Sequence, residues 1–307
     1  MEGSRPGDSG FRVSEFSWDS GKGHTDENFP VASVLIAPSH REAVLAFYRV
    51  ARMADDVADH ASAGPADKLA RLALIEASLE GESKAVPEAI RLRTVLGARG
   101  LSAQHMLDLL EAFRRDVTKT RYATWDELMD YCRYSAAPVG RFVLDVHDEP
   151  RNLWDASDAL CAALQVINHL QDCGEDYRAL DRVYVPLDAL AAVGLGVEAL
   201  GEDKASPALR GVVRTLAERT SILLTAGRPL ARQVGDLRLG LEIAVIQRLA
   251  ESLEDRLLRR DPLSERVKHR PFEALRLAMA ASLGVLGSRL FASPGSARRS
   301  APGIGGA

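Results

Sequence analysis

Apolar residues recur along most of this chain with the period of about 3.6 residues that is typical of amphipathic helices. No segment shows the alternation of apolar and polar positions that builds a half-buried β-strand, so the pattern predicts an all-α fold. Ser102 is a predicted N-cap, and Thr124 forms a predicted capping box with Glu127. Clusters of Gly and Pro, as in ASAGPAD and HDEPRN, mark breaks between helices. The predicted helices span residues 39–60, 66–80, 87–98, 102–118, 124–146, 153–178, 205–234, 238–258 and 270–290.

The predicted helices are not divided by any linker. Of the 307 residues, 46% are hydrophobic, which is enough to build one large core. We therefore expect a single helical domain over residues 25–290. A flexible arm is expected at residues 1–24, and a flexible tail, rich in Gly, Pro and Ser, at residues 291–307.

Charge and cysteine content exclude several classes of protein. With a formal net charge of -4 and an isoelectric point near 6.0, the chain has no general attraction for nucleic acid. Its 3 cysteines show no CxxC spacing, so we expect neither a disulfide framework nor a cysteine zinc site, and a reducing, cytoplasmic setting. The apolar segment 275–291 carries Arg276 and Arg289 and is too short to span a membrane, which leaves a peripheral membrane contact open.

A stripe of polar residues runs along one face of the first predicted helix. Tyr48, Arg52, Asp55 and Asp59 are spaced by four, three and four residues, so their side chains share that face. Asp56 stands at the edge of this first stripe. The positions around it are mostly apolar, so the stripe is flanked by predicted core rather than by a solvated surface.

A second stripe follows the same rule in the segment LQVINHLQDCGED. Gln165, Asn168, Asp172 and Asp176 are spaced by three, four and four residues among apolar neighbours. Burying ionised carboxylates is very unfavourable unless they are paired or bind a metal. Magnesium fits, because it takes oxygen ligands and is commonly held by carboxylates together with substrate phosphates.

Simpler interpretations of the stripes stay open at this point. The carboxylates of either stripe are as well explained by solvated surface, and Arg52 has the spacing to pair with Asp55 or Asp56. An EF-hand is excluded because its central Gly and distal Glu are missing, and a di-iron bundle because no ExxH pair occurs at the expected positions. If the stripes face each other across a bundle, they form an acidic mouth above an apolar interior, which suits a diphosphate ester with a hydrocarbon tail.

The segments DDVAD at 55–59 and LQVINHLQDCGED at 164–176 resemble the paired signatures of the squalene/phytoene synthase family. The resemblance covers nearly the whole predicted domain. It implies the isoprenoid synthase fold, a single helical bundle with a central apolar cavity, and a prenyl diphosphate substrate bound with Mg²⁺. By resemblance, the catalytic residues are Tyr48, Arg52, Asp55, Asp56, Asp59, Asp172 and Asp176, with metal ligands from Asp55, Asp59, Asn168, Asp172 and Asp176 and assistance from Gln165.

Other segments are similar to one bacterial branch of that family. ENFPVAS at 27–33, Gln171 and the segment YCRYSAAPVGR look like enzymes that convert presqualene diphosphate to hydroxysqualene, a rearrangement ended by water capture that needs no reductant. Gln171 stands where other branches usually carry Arg, and by resemblance it is expected to bind the substrate together with Gln165 and Asn168. Condensation of two prenyl diphosphates to presqualene diphosphate or phytoene is the alternative within the family. A non-catalytic helical protein that binds lipid or a partner is the alternative outside it.

Further residues are expected near the substrate. Pro138 is expected to kink its helix, and a kink without any ligand explains that segment equally well. Arg121 and Tyr122 are placed near enough in sequence to reach a diphosphate, whereas His60, His105 and His169 fit surface or core positions better than ligand positions. The oligomeric state is left open. The remaining expected substrate-binding residues are Asn28, Tyr131, Ser135, Val139 and Gly140 around the cavity, and Arg182 and Tyr184 on a loop that can close over the phosphates.

Overall fold

A computed structural model describes residues 37–291. Within that range the backbone is helical and forms no β-strand, only an isolated bridge between Arg121 and Val183, so the all-α prediction is confirmed. The predicted arm, Asn28 and all but the first residue of the predicted tail lie outside the described residues. In chain order the helices are α1 (Pro38–Asp59), α2 (Pro65–Glu80), α3 (Pro87–Arg99), α4 (Gln104–Thr118), α5 (Trp125–Ser135), α6 (Ala137–Val146), α7 (Trp154–Gln171), α8 (Cys173–Leu180), α9 (Leu187–Ala191), α10 (Pro207–Gly227), α11 (Leu230–Gln233), α12 (Leu237–Leu257) and α13 (Pro271–Phe291).

Three of the predicted helices are each divided in two. The prediction for 124–146 becomes α5 and α6, because Pro138 has no N–H to donate and is tolerated only in the first turn of a new helix. The expected kink is thus a complete break. The prediction for 153–178 divides at Asp172, which leaves helical geometry with φ -104° and ψ 9°, and that for 205–234 divides before Pro229.

The predicted caps differ from expectation in detail. The hydroxyl of Thr124 accepts a hydrogen bond from the Glu127 N–H at 3.2 Å, which confirms the cap. The Glu127 carboxylate accepts from the Ala123 N–H instead of from Thr124. Ser102 accepts from the Gln104 N–H at 3.1 Å, but α4 begins at Gln104, so the capping position moves one residue from the prediction.

Helix α7 lies at the centre of the larger apolar core. Its residues Leu160, Ile167 and Leu170 are buried against a cluster that includes α5, α10 and α12. A second cluster joins α1 to α2, α3 and α4. The rings of Phe47 and Phe142 stack 4.0 Å apart and connect α1 to α6, which packs in turn on α7. This arrangement brings α1 and α7, the helices that carry the two polar stripes, into one bundle.

The cysteines follow the prediction, since Cys132, Cys161 and Cys173 are all free thiols. Burial raises the pKa of each to about 12. None of the helices between residues 37 and 291 is long and apolar enough to cross a membrane.

Candidate active site

The two polar stripes line a single cavity of about 310 Å³. Helix α1 supplies the first stripe, and α7 with α8 supplies the second, while α4, α5 and the loop after α8 close the sides. The lining residues are Tyr48, Ala51, Arg52, Asp55, Asp59, Leu109, Ala112, Phe113, Asp116, Tyr131, Ser135, Val139, Gln165, Asn168, His169, Asp172, Asp176, Leu180, Arg182 and Tyr184.

Arg52 pairs with two carboxylates at the edge of the first stripe. Its Nη1 lies 2.7 Å from Asp55 Oδ2, and its Nη2 lies 2.8 Å from Asp56 Oδ1. The ion pairs that the sequence left as an alternative are therefore present. They do not account for the whole stripe, because Asp55 and Asp59 also line the cavity.

The carboxylates of the two stripes hold more negative charge than their surroundings balance. Burial, with a contribution from the neighbouring Asp59, raises the pKa of Asp55 to about 7. Burial also raises the pKa of Asp176 to about 7, with a contribution from Asp172. Both shifts mean that ionising these groups is less favourable in the folded protein than in water, and that a cation bound beside them would favour the ionised form.

Arg182 supplies part of that positive charge from the loop after α8. It is only 7% exposed, its Nη1 lies 2.5 Å from Asp59 Oδ1, and its Nη2 donates to the Ala58 carbonyl at 3.1 Å. Its positive charge lowers the pKa of Asp176 and of Asp116, and so opposes the increase that burial causes in each. Arg182 thus fastens the loop to the end of α1 beside the acidic mouth.

Asp116 on α4 is a lining residue that the sequence analysis did not place in the site. It is buried and accepts hydrogen bonds from the Tyr131 hydroxyl at 2.8 Å and the Tyr184 hydroxyl at 2.9 Å. Burial raises its pKa to about 6, against the opposing charge of Arg182. A signal was present, since Asp116 continues the apolar face of Leu109 and α4 thereby repeats the pattern of the two stripes.

His169, for which the sequence favoured a surface or core position over a ligand position, is buried and also lines the cavity. Its ring stacks on the Tyr184 ring with 3.6 Å between centroids. Its Nε2 lies 3.1 Å from Gln165 Nε2, so the imidazole accepts there from the amide. Burial lowers the pKa of His169 to about 3, which keeps the ring neutral.

Some predicted site residues lie away from this cavity. Gln171 donates its side-chain amide to the Val267 carbonyl and so ties α7 to the segment before α13. Gly140 faces α7, where a Cβ atom would lie 2.6 Å from Cys161 Sγ, so its small size serves helix packing. Asp56 is beside the cavity but is not among its lining residues.

Two further candidates do not reach the cavity either. Arg121 lies 2.5 Å from the exposed Asp181 carboxylate, and Tyr122 is buried in the main core. His105, expected to be a surface or core residue, is buried with its Nε2 2.9 Å from Asp145 Oδ2.

The described residues contain no ready-made cluster of three or more Asp, Glu, His or Cys side chains that surrounds one metal position. The carboxylates of the two stripes instead line the same cavity, and Asp59 lies near enough to Asp176 to raise its pKa. Their oxygen donors are the kind that magnesium prefers, and magnesium commonly takes one or two carboxylates together with substrate phosphates. The donor set therefore fits magnesium ions shared with a phosphorylated ligand better than a metal held by protein alone.

Comparison with known proteins agrees with this geometry. The sequence profile described as "Squalene/phytoene synthase" matches residues 22–273. The chain is 57% identical over 269 residues to a hydroxysqualene synthase of Zymomonas mobilis, covering 87% of this chain and 91% of that protein. It is 55% identical over 271 residues to a hydroxysqualene synthase of Rhodopseudomonas palustris, covering 88% and 91%.

Solved structures show the same fold. The crystal structure of the squalene synthase HpnC from Alicyclobacillus acidocaldarius superposes with a TM-score of 0.66 at 32% identity, covering 75% of this chain and 87% of that one. A dehydrosqualene synthase structure superposes with a TM-score of 0.71 at 20% identity, covering 85% and 93%, which is a likeness of fold alone. This chain belongs to the squalene/phytoene synthase family.

Proposed function

We propose that this protein converts presqualene diphosphate to hydroxysqualene and releases diphosphate, in a reaction that depends on magnesium. The observation that carries the proposal is the single cavity that both polar stripes line. Its acidic mouth and partly apolar walls suit a substrate with a charged head and a hydrocarbon body. The relatives that match most of this chain carry the name hydroxysqualene synthase.

The magnesium ions would be held by Asp55, Asp59, Asn168, Asp172 and Asp176. The raised pKa values of Asp55 and Asp176, each about 7, support this assignment, because a cation bound beside these carboxylates would favour their ionised form. When bound, magnesium would neutralise charge on the diphosphate and so make it a better leaving group.

The residues of the chain would carry the other parts of the reaction. Arg182 and Arg52, at the mouth, supply fixed positive charge for the leaving diphosphate. Leu109, Phe113 and Val139 supply apolar wall that excludes bulk water from a carbocation. Rearrangement of the cyclopropylcarbinyl cation, followed by capture of one water molecule, gives hydroxysqualene without a reductant.

The test is to incubate the purified protein with magnesium and either presqualene diphosphate or farnesyl diphosphate, and to follow diphosphate release and products. We expect release only from presqualene diphosphate, with hydroxysqualene as the product. Consumption of farnesyl diphosphate alone would instead establish the condensation reaction.

Variants distinguish an enzyme from a binding protein. Asp172→Asn should lower turnover by a factor of about 100 or more, as when one electrostatic group of an active site is removed. The matched control Asp203→Asn changes an exposed carboxylate on a loop away from the cavity and should leave turnover unchanged. A protein that binds a lipid without catalysis would show no magnesium-dependent release with either variant or with the native chain.

We also propose that α13 makes a peripheral membrane contact. Phe272, Leu275, Met279 and Leu283 are spaced by three, four and four residues and are all exposed, Phe272 to 73%, so they form one apolar face. The exposed Arg276 lies beside them, where its charge favours anionic lipid. The opposite side of α13 packs on α12.

Sedimentation with vesicles that contain anionic lipid tests this contact. Leu283→Gln should weaken vesicle binding about fivefold, since it removes one exposed leucine from the apolar–lipid contact. Ile222→Gln is a matched control, because Ile222 on α10 has the same 69% exposure as Leu283. Equal effects of the two substitutions would reject α13 as the contact.

A further inference from the structure

The hydroxyl of Ser135 is buried on the cavity wall without a hydrogen-bond partner among the described residues. Buried hydroxyls nearly always have a partner, and elsewhere in this fold Thr220 donates to the Leu216 carbonyl of its own helix at 2.8 Å. The neighbouring hydroxyls of Tyr131 and Tyr184 are both donated to Asp116. Because Ser135 is a lining residue, a rotation of its side chain would present this unpartnered hydroxyl to a group that enters the cavity.

Ser135 lies away from the end of the cavity that holds the second-stripe carboxylates. The chain from α5 into α6 runs beside α7, with the Tyr131 ring 6.0 Å from the His169 ring. Gly140 meets α7 further toward its N-terminal end, at Cys161. Because Ser135 falls between Tyr131 and Gly140 in sequence, we infer that it lies level with the part of α7 between Cys161 and His169, and so nearer to the hydrocarbon than Asp172 and Asp176 are.

We propose that Ser135 binds the water molecule that captures the carbocation and thereby determines that the product is an alcohol. This inference rests on the proposed function. A single water in a largely apolar cavity needs polar partners to be held there, and an unpaired serine hydroxyl at the hydrocarbon end provides one.

The chemistry balances without any further reactant. Ser135 Oγ accepts a hydrogen bond from one O–H of the water, which leaves a lone pair on the water oxygen to form the new C–O bond with the cation. The resulting oxonium loses one proton, which the released diphosphate accepts. The overall change is presqualene diphosphate plus water to hydroxysqualene and singly protonated diphosphate. Without a held water, the cation would instead lose a proton from carbon and give an unsaturated hydrocarbon.

The experiment measures the fraction of hydroxylated product for each diphosphate released, with the full chain, magnesium and presqualene diphosphate in water enriched in heavy oxygen. Ser135→Ala should lower that fraction about fivefold, as expected for loss of one hydrogen bond, with the missing product appearing as hydrocarbon. Ser135→Thr keeps the hydroxyl and should restore most of the alcohol. Thr220→Ala removes a buried hydroxyl away from the cavity and should leave the product ratio unchanged.

Normalising to diphosphate released makes the result independent of how much folded enzyme each preparation contains. An unchanged hydroxylated fraction in Ser135→Ala, with heavy oxygen still incorporated, would overturn the role of Ser135 while leaving the proposed function intact. If the native protein released no diphosphate from presqualene diphosphate, or formed no alcohol, the proposed function itself would fail. Circular dichroism shows whether each variant is folded. If a Ser135 variant is not folded, Ser135→Cys is used in its place, because it keeps the volume of the side chain but weakens the hydrogen bond.

Discussion

The raised pKa of Asp116 predicts that the stability of the folded protein depends measurably on pH. Burial raises its pKa from 3.8 to about 6, so the folded protein holds this proton more tightly than the unfolded chain does. Stability must therefore fall as pH rises through this range, with the full loss present above the folded pKa. The pKa of Asp116 differs by about two units between the folded and unfolded states. At about 1.4 kcal/mol per unit, the total loss of stability is about 3 kcal/mol. About half of that is already lost near pH 5, which leaves about 1.4 kcal/mol to be lost between pH 5 and pH 8.

Asp116→Asn removes this titration with little change in shape. The amide oxygen can accept from one of Tyr131 and Tyr184, and the amide N–H can donate to the other, in place of the two bonds seen now. The difference in unfolding free energy between the variant and the native protein should therefore move by about 1.4 kcal/mol in favour of the variant from near pH 5 to near pH 8.

Urea unfolding followed by circular dichroism, in a magnesium-free buffer with chelator, measures this difference. With a urea dependence of about 3 kcal/mol per molar, the expected relative shift of the midpoint is about 0.5 M. The titrations of Asp55 and Asp176 are present in both proteins, so they cancel to first order in the comparison. A difference that stays constant across the pH range, or one that moves in favour of the native protein, would refute the raised pKa of Asp116.

The remaining predictions concern the ion pair at the mouth and the packing of α6. Arg182→Gln should destabilise the magnesium-free protein by about 2 kcal/mol. This is less than for a fully buried ion pair, because the Asp59 side chain is 35% exposed. Urea unfolding measures the change, and a change near zero would contradict the prediction. Gly140→Ala should lower stability by about 1–3 kcal/mol, because the added methyl would meet Cys161 Sγ. In the control Gly211→Ala on α10, nothing lies within 4 Å of the new methyl, so its thermal midpoint should hold or rise while that of Gly140→Ala falls.

The first stripe shows what local spacing is able to predict. The positions of Tyr48, Arg52, Asp55 and Asp59 on one face follow from helix geometry alone, and the same holds for the second stripe as far as Asp172. The break between α7 and α8 falls at Asp172 itself, yet the residues on either side of it still line the cavity. Short-range periodicity was sufficient here because each stripe lies on one helix or on one helix and its continuation.

Contacts between different helices could not be predicted from residue spacing within one helix. Gln171 directly precedes Asp172 of the second stripe in sequence, but one residue is about 100° of rotation around a helix, which turns its side chain away from the side of Asp172 and toward Val267. Asp116 has the sequence signal of a stripe residue, but only the packing of α4 against α5 and the loop after α8 brings Tyr131 and Tyr184 to it.

The segment SAAPVGR shows how one short stretch divides between structure and chemistry. Ser135, Val139 and Gly140 were expected to line the cavity together, but the break before Pro138 separates Ser135 from the other two. Ser135, the last residue of α5, and Val139 face the cavity, whereas Gly140 turns to α7 and allows the two helices to approach closely. The close contact at Gly140 fixes where α6 lies on α7, and α6 in turn limits where the end of α5 can be. We therefore expect substitutions at Gly140 to change stability first, whereas, under the role proposed for Ser135, substitutions at Ser135 should change the product.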